Sequence, residues 1–401
     1  MTKEKVSEAA YKEAVSVSEM KVSSTLSVLM ESERLKAEGV EVIDLGAGEP
    51  DFPTPRNVKD AAQRAIEENF TRYTSTGGIA PLKEAIIRML ERDFGASYRG
   101  SELIVTVGGK QGIFNAMATL LNPGDDVLVP SPYWVTFPEI VTFLRANSVF
   151  IDTEPNGFLL TAEMVRDSIT PRTRLLIINS PNNPSGRVIA PDEFRKIVEV
   201  AAEHDVWVIS DECYLYFAHT PAQKFTAGQL PPELRSRVMI SGSFSKSHAM
   251  TGWRIGYALG PEEWIHAMLK VQSHSTSNAT SISQRAAIEA ATGPQEPLHA
   301  MLEEYRKRRD WLVPALNAIE GVECSMPEGA FYVMPNMKGL LGGRVKTSSQ
   351  LARVLLTEAQ VVVTPGSAFG LEGYLRISYA NSLEAIKRGV EKLDAVAHSL
   401  R

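Results

Sequence analysis

The residues with the clearest capacity for chemistry lie in Ser243-Phe244-Ser245-Lys246 and the stretch that follows, Ser247-His248-Ala249-Met250-Thr251-Gly252-Trp253-Arg254-Ile255-Gly256. The amine of Lys246 can condense with an aldehyde. The hydroxyls of Ser243 and Ser245 and the guanidinium of Arg254 are donors suited to a phosphate dianion. Aldehyde and phosphate occur together in pyridoxal phosphate, which needs a lysine linkage and a partner for its ring nitrogen. Taken alone, Ser-x-x-Lys also fits an ordinary lysine in a polar loop. Other parts of the chain must supply the rest.

Asp211 follows the apolar run Val206-Trp207-Val208-Ile209-Ser210. A buried carboxylate there needs a cation, and a protonated pyridine nitrogen is one; Asp211-Glu212 could equally cap a helix. Asn183 sits in Asn182-Asn183-Pro184-Ser185-Gly186, a strong turn sequence whose amide could also donate to the ring's phenolic oxygen. Tyr214, three residues past Asp211, is either a second such donor or a core tyrosine. Gly108-Gly109-Lys110-Gln111-Gly112 leads from strand to helix, where backbone N–H groups can hold phosphate. Trp134 either stacks on a planar ring or fills the core. Arg376, inside Tyr374-Leu375-Arg376-Ile377-Ser378, points to solvent or grips an anion.

These residues need elements to hold them. Val238–Ile240 is an apolar run that reads as a buried strand, with Lys246 at its exit among small residues that permit close approach. Further strands are expected at Leu103–Val107, Val127–Val129, Val149–Ile151, Leu175–Ile178, Val206–Ile209 and Gly256–Leu259. Helices between them include Gln111–Leu121 and Pro191–His204. The alternation predicts a mostly parallel sheet covered on both faces, with ligands at the carboxyl ends of its strands. Gly108–Lys110, Trp134, Asn183, Asp211 and Lys246 each follow a strand.

Upstream, residues 1–20 read as a charged arm, and Leu26, Leu29 and Met30 mark a helical face ending at Gly39. The Val42–Leu45 strand then runs into the Gly46–Pro50 turn. Beyond residue 295 the helical spacing lengthens, with a kink expected at Pro314. Ala330–Met334, Val361–Val363 and Tyr374–Ile377 read as strands of a second, smaller domain.

At 401 residues, 44% apolar and 22% charged, the composition is globular. A net charge of −6 without a basic run argues against a nucleic-acid partner. Cys213 and Cys324 give no disulfide framework, and neither a signal-peptide core nor a bilayer-spanning run is present, so the expected location is the cytoplasm.

The motifs G-A-G-E-P-D-F, V-G-G-K-Q, S-P-Y-W, N-S-P-N-N-P-S-G, S-D-E-x-Y, S-F-S-K, T-G-W-R-I-G-Y, G-A-F-Y and R-I-S-Y occur in this order. Together they resemble the class I family of fold-type I pyridoxal-phosphate aminotransferases, from about Lys21 onward. The similarity is greatest to the bacterial aspartate aminotransferase group that includes bifunctional aspartate/prephenate enzymes. Ser185 departs from the usual threonine but keeps the hydroxyl. The resemblance implies an α/β fold: a seven-stranded mostly parallel sheet in a large domain (46–310) and a smaller α+β domain (21–45 and 311–401), after an arm (1–20).

It also implies roles. Lys246 carries the cofactor, Asp211 pairs with the ring nitrogen, Asn183 and Tyr214 bind the ring oxygen, and Trp134 stacks. Gly109 and Lys110 (through backbone), Ser243, Ser245 and Arg254 hold the phosphate, with Tyr73 reaching from the second subunit of a homodimer. Arg376 grips the substrate α-carboxylate, helped by Gly48 and Asn183. Lys110 meets the distal carboxylate of aspartate or glutamate, Thr25 assists there, and Lys21 serves prephenate. Amino acids and 2-oxo acids would exchange by ping-pong kinetics. Rival readings are β-elimination from a cysteine conjugate, an aromatic-only aminotransferase, and a non-catalytic cofactor-binding regulator. Lys110 opposes the aromatic reading, since an apolar substrate would leave its charge unpaired; residues 1–20 are too short for the winged helix of a regulator.

Overall fold

In the computed structural model, residues 11–21, 30, 32–35, 37–220 and 224–400 are described. Thr25, Leu26 and Leu29 lie outside them. In chain order the strands are β1 (Ile43–Asp44), β2 (Leu103–Thr106), β3 (Asp126–Ser131), β4 (Asn147–Asp152), β5 (Thr173–Asn179) and β6 (Trp207–Asp211). There follow β7 (Val238–Ser243), β8 (Gly256–Leu259), β9 (Tyr332–Val333), β10 (Val361–Val362), β11 (Thr364–Pro365) and β12 (Leu375–Ser378).

The seven expected strands form one sheet in the order β2-β8-β7-β6-β5-β3-β4. Every pair is parallel except those made by β8, which runs against both β2 and β7. Near-continuous apolar runs arise because both faces are covered, one by a core that includes Leu103, Leu176 and Val208, the other by one that includes Ile104, Leu175 and Ile209. Several strands outlast their apolar runs. β5, β6 and β7 continue to Asn179, Asp211 and Ser243, because ladder bonds go on pairing the backbone where the side chains turn polar.

The helix expected from Gln111 starts at Gly108 and runs to Leu120. The Pro191–Glu203 helix opens on its proline, where a missing N–H costs nothing. β8 is squeezed between neighbours: a Cβ at Gly256 would lie 2.7 Å from the backbone of both Gly108 and Gly109 and 2.8 Å from the Gly242 carbonyl.

A second core gathers Ile43, Leu45, Tyr332, Val361 and Ile377. Here β1 pairs in parallel with β10, and β11-β12-β9 form an antiparallel sheet. The helix Glu296–Asn317 packs into this core through Leu298, Tyr305 and Leu312. The helix runs through Pro314 to Asn317. Pro314 falls in the last turn, where the missing N–H removes a single intrahelical bond. Among the described residues no helix is long and apolar enough to cross a membrane.

Candidate active site

The carboxyl ends of β2, β3, β5, β6 and β7 share one edge of the sheet. Because β8 is antiparallel, its N-terminal end lies at that same edge and brings Arg254 with it. A cavity of about 720 Å³ opens there. Its walls include Gly48, Gly109, Lys110, Trp134, Asn183, Asp211, Tyr214, Ser243, Ser245, Lys246, Arg254 and Arg376. Twelve of the fifteen residues singled out above are thus brought together.

One end of the cavity is a cradle of donors. The N-terminus of the Gly108–Leu120 helix faces it, and Gly108 has φ +73, a conformation that suits glycine. A Cβ on Gly108 would stand 2.6 Å from Arg254 Nη2, so the guanidinium lies directly against bare backbone. Arg254 itself holds φ +51, and its Nη1 donates to the Thr251 carbonyl at 2.8 Å. Ser243 Oγ donates to Ser245 Oγ at 2.8 Å and accepts from the Ser245 amide at 3.0 Å. Ser241, not anticipated, donates to the Gly109 carbonyl at 3.1 Å and ties helix to strand. Its only sequence signal is a hydroxyl that follows the apolar Val238–Ile240 run.

At the other end Asp211 is buried, accepting from the Cys213 amide at 3.1 Å. Burial pushes its carboxyl up to about 6, while that amide and the Lys246 charge pull the other way. Lys246 Nζ donates to the Gly48 carbonyl at 2.5 Å. Burial lowers the pKa of this amine; Cys213 and Glu49 oppose it, and the positive charges of Arg376 and Arg254 add to it.

Arg376 is 5% exposed, so the solvated-face alternative is overturned. Alternation failed because every residue of β12 is buried. Its Nη1 donates to Asn183 Oδ1 at 3.1 Å, and its Nη2 to the Gly46 carbonyl at 2.6 Å and Thr364 Oγ1 at 3.3 Å. The guanidinium lies 4.5 Å from the Tyr332 ring centroid and 5.1 Å from that of Phe369. Among the described residues Nε has no partner, and the three acceptors are all neutral. Asn183 spends its oxygen on Arg376, which leaves its NH2 to donate elsewhere. The hydroxyls of Tyr214 and Tyr332 are 2.8 Å apart. Tyr332, Thr364 and Phe369 were missed as site residues; Tyr332 stands in the Gly-Ala-Phe-Tyr motif but reads locally as core.

Lys110 Nζ lies 4.9 Å from the Trp134 ring centroid. Burial lowers its pKa, followed by Arg254 and Lys246. Lys110 and Trp134 also face an adjoining cavity of about 1160 Å³, lined by Phe114, Tyr133, Phe143 and Phe150. Lys21 is on the wall of this second space, not the first; its amide donates to Glu139 Oε2 at 2.8 Å. Tyr73 is 93% exposed and lines neither cavity. Thr25 falls outside the described residues.

A sheet-edge lysine, a buried acid and a cradle of hydrogen-bond donors define a group-transfer site on a fold-type I scaffold. A family model described as "Aminotransferase class I and II" matches residues 40–393, and the chain belongs to that family; it is a transaminase. It is similar to the aspartate aminotransferase of Geobacillus stearothermophilus, 43% identical over 94% of this chain and 96% of that one. It is similar also to the aspartate/prephenate aminotransferase of Cereibacter sphaeroides, 42% identical over 95% of this chain and 97% of that one. The crystal structure of the aspartate aminotransferase from Rhizobium meliloti superposes with a TM-score of 0.93 at 42% identity, covering 97% of this chain and 99% of that one.

Proposed function

We propose that this transaminase moves the amino group of L-aspartate to 2-oxoglutarate, giving oxaloacetate and glutamate, with pyridoxal 5'-phosphate held on Lys246. The carrying observation is Arg376, a buried cation whose acceptors among the described residues are all neutral, facing the same cavity as Lys246 and Asp211. Such a group is stabilised by an anionic ligand, and every amino acid brings an α-carboxylate. Lys110 is a second cation on the wall, suited to a distal carboxylate.

The residues fit the cofactor. The Gly109 and Lys110 backbone at the helix start lines the cavity beside three phosphate donors, and a Cβ on Gly108 would displace one of them, Arg254. No ion pair reaches Asp211 among the described residues, so its raised pKa marks a place for a cationic ring nitrogen. When bound, the cofactor supplies an electron sink for the carbanion formed at the substrate Cα. Lys246, its pKa drawn down, offers a free amine to take the Cα proton and return it. With the cofactor bound, Asp211 would keep the ring nitrogen protonated, the Asn183 amide and Tyr214 hydroxyl would donate to the ring oxygen, and Trp134 would pack on the ring. The amides of Gly109 and Lys110 hold the phosphate with Ser243, Ser245 and Arg254.

Tyr73 completes the phosphate site from a second copy in a two-fold dimer; its 93% exposure and distance from its own cavity support this. Residues 46–310 act as the large domain and 21–45 with 311–401 as the small one, in line with the separate core around β9–β12. Two free cysteines suit a reducing cytoplasm. Prephenate is a second substrate: its ring carboxylate reaches farther than aspartate's, and Lys21 lines the aromatic cavity next door.

The test is turnover of aspartate with 2-oxoglutarate by the purified protein, with intact mass after borohydride reduction. Oxaloacetate should form, and the label should sit on Lys246. A label elsewhere overturns the cofactor assignment; turnover of tyrosine but not aspartate overturns the substrate. Prephenate with aspartate should yield arogenate, and Lys21→Ala should reduce that reaction while sparing aspartate.

A further inference from the structure

The segment between β1 and the helix Arg56–Glu67 lines the cavity through Gly46, Ala47, Gly48 and Glu49, and both working cations bind its backbone. The Gly46 carbonyl accepts from Arg376 Nη2 at 2.6 Å, and the Gly48 carbonyl accepts from Lys246 Nζ at 2.5 Å. Glu49 accepts from Thr251 Oγ1 at 2.7 Å, and the carbonyl of Thr251 holds Arg254. This one strap touches the residues proposed to hold the substrate carboxylate and the Cα proton, and reaches one proposed to hold the phosphate, Arg254, through Thr251.

Its anchor lies just downstream, outside the cavity wall. Arg308 Nη1 donates to both oxygens of Asp51, at 2.8 and 2.9 Å, and the Tyr305 hydroxyl donates to Oδ1 at 3.1 Å. Arg308 is 5% exposed, and its Nε donates to Glu304 at 3.2 Å. Its guanidinium packs 5.2 Å from the Phe52 ring centroid and 5.3 Å from that of Tyr305. Both Arg308 and Tyr305 stand on the helix Glu296–Asn317, so a different element holds the strap. Arg308 is buried while Asp51 reaches solvent, so the ion pair adds little stability, but its paired bonds to both carboxylate oxygens fix one geometry. Pro50 and Pro53 flank Asp51 and Phe52 and stiffen the chain, so a shift at Asp51 is passed along.

We infer that Asp51 and Arg308 are positioning residues: their ion pair sets where the Gly46 and Gly48 carbonyls stand, and through them the orientation of the Arg376 guanidinium and the Lys246 amine. This rests on the reading of Arg376 as the carboxylate grip. The guanidinium is aimed by three neutral acceptors. Moving the Gly46 carbonyl removes the shortest of them and lets the fork turn away from the carboxylate plane.

The test is calorimetric titration of the purified holoenzyme with succinate, a dicarboxylate without an amino group. The variants are Asp51→Asn, Arg308→Lys, Arg376→Lys and the double variant Asp51→Asn/Arg376→Lys. Asp51→Asn and Arg308→Lys should each raise the succinate Kd about tenfold in protein that still melts cooperatively. In the Arg376→Lys background, Asp51→Asn should add less than about twofold, because residues acting through one another are non-additive. An unchanged Kd in Asp51→Asn, or the full factor persisting in the Arg376→Lys background, overturns the inference. If Asp51→Asn does not fold, Asp51→Glu decides; it keeps the charge and shifts the strap by one methylene, and unchanged succinate binding refutes the positioning role. If Arg376→Lys binds succinate as wild type does, the carboxylate-grip reading fails first and the inference falls with it.

Discussion

Arg376 and Lys110 divide the charge of a dicarboxylic substrate, and their removal should separate by substrate class. Arg376→Ala should harm every amino donor, with a loss of about 2–5 kcal/mol in transition-state binding as read from kcat/KM. Lys110→Ala should weaken aspartate and glutamate more than aromatic donors; equal losses would confine Lys110 to the phosphate loop. Asp211 carries a pH signature. Its carboxyl is raised to about 6 in the folded chain, so the stability it contributes is present below its ordinary pKa and lost as pH rises through 6. Cofactor-free Asp211→Asn should therefore melt above wild type at pH 8, with the gap closing as pH falls toward 4. A gap independent of pH would place the effect elsewhere. Most of these side chains could be read from sequence because each stands at a strand exit beside Gly, Ser or Pro. The burial of Arg376 could not, since alternation distinguishes faces only when one face is wet.

At the scale of elements, the strand cores were evident from their apolar runs, while their polar ends were not. Asn179, Asp211 and Ser243 are still in the ladder, held by backbone pairing that side-chain type does not report. The helix start at Gly108 was hidden for a similar reason. Two glycines depress helix propensity, yet here Gly108 admits the Arg254 guanidinium and Gly109 lies against Ser241. Gly256→Ala should act like a wedge, destabilising the fold by about 1–3 kcal/mol in denaturant unfolding and weakening phosphate binding together with stability. Normal stability in that variant would show that β8 can shift at little cost.

For the whole molecule, the proposed dimer predicts complementation. A Lys246→Ala protein mixed after subunit exchange with an inactive Tyr73 variant should recover about a quarter of wild-type turnover, because half the dimers carry one intact site of two. No recovery despite demonstrated exchange would remove Tyr73 from the site. The α/β class was legible in the order of runs. The reversed direction of β8 was not, since an apolar run looks the same read either way along a sheet.

That reversal has a consequence for the order of folding events. Ser243 and Arg254 flank the short link from β7 to β8, but Gly109 comes from the end of β2 far upstream, and the three meet only once β8 has slotted between β2 and β7. Pairings of such long separation close late. Helical and local strand signals should thus recover early in refolding, while the ability to hold inorganic phosphate returns only in the final phase. Stopped-flow circular dichroism compared with phosphate protection at matched times would show the lag; simultaneous recovery would mean that β8 inserts at the outset.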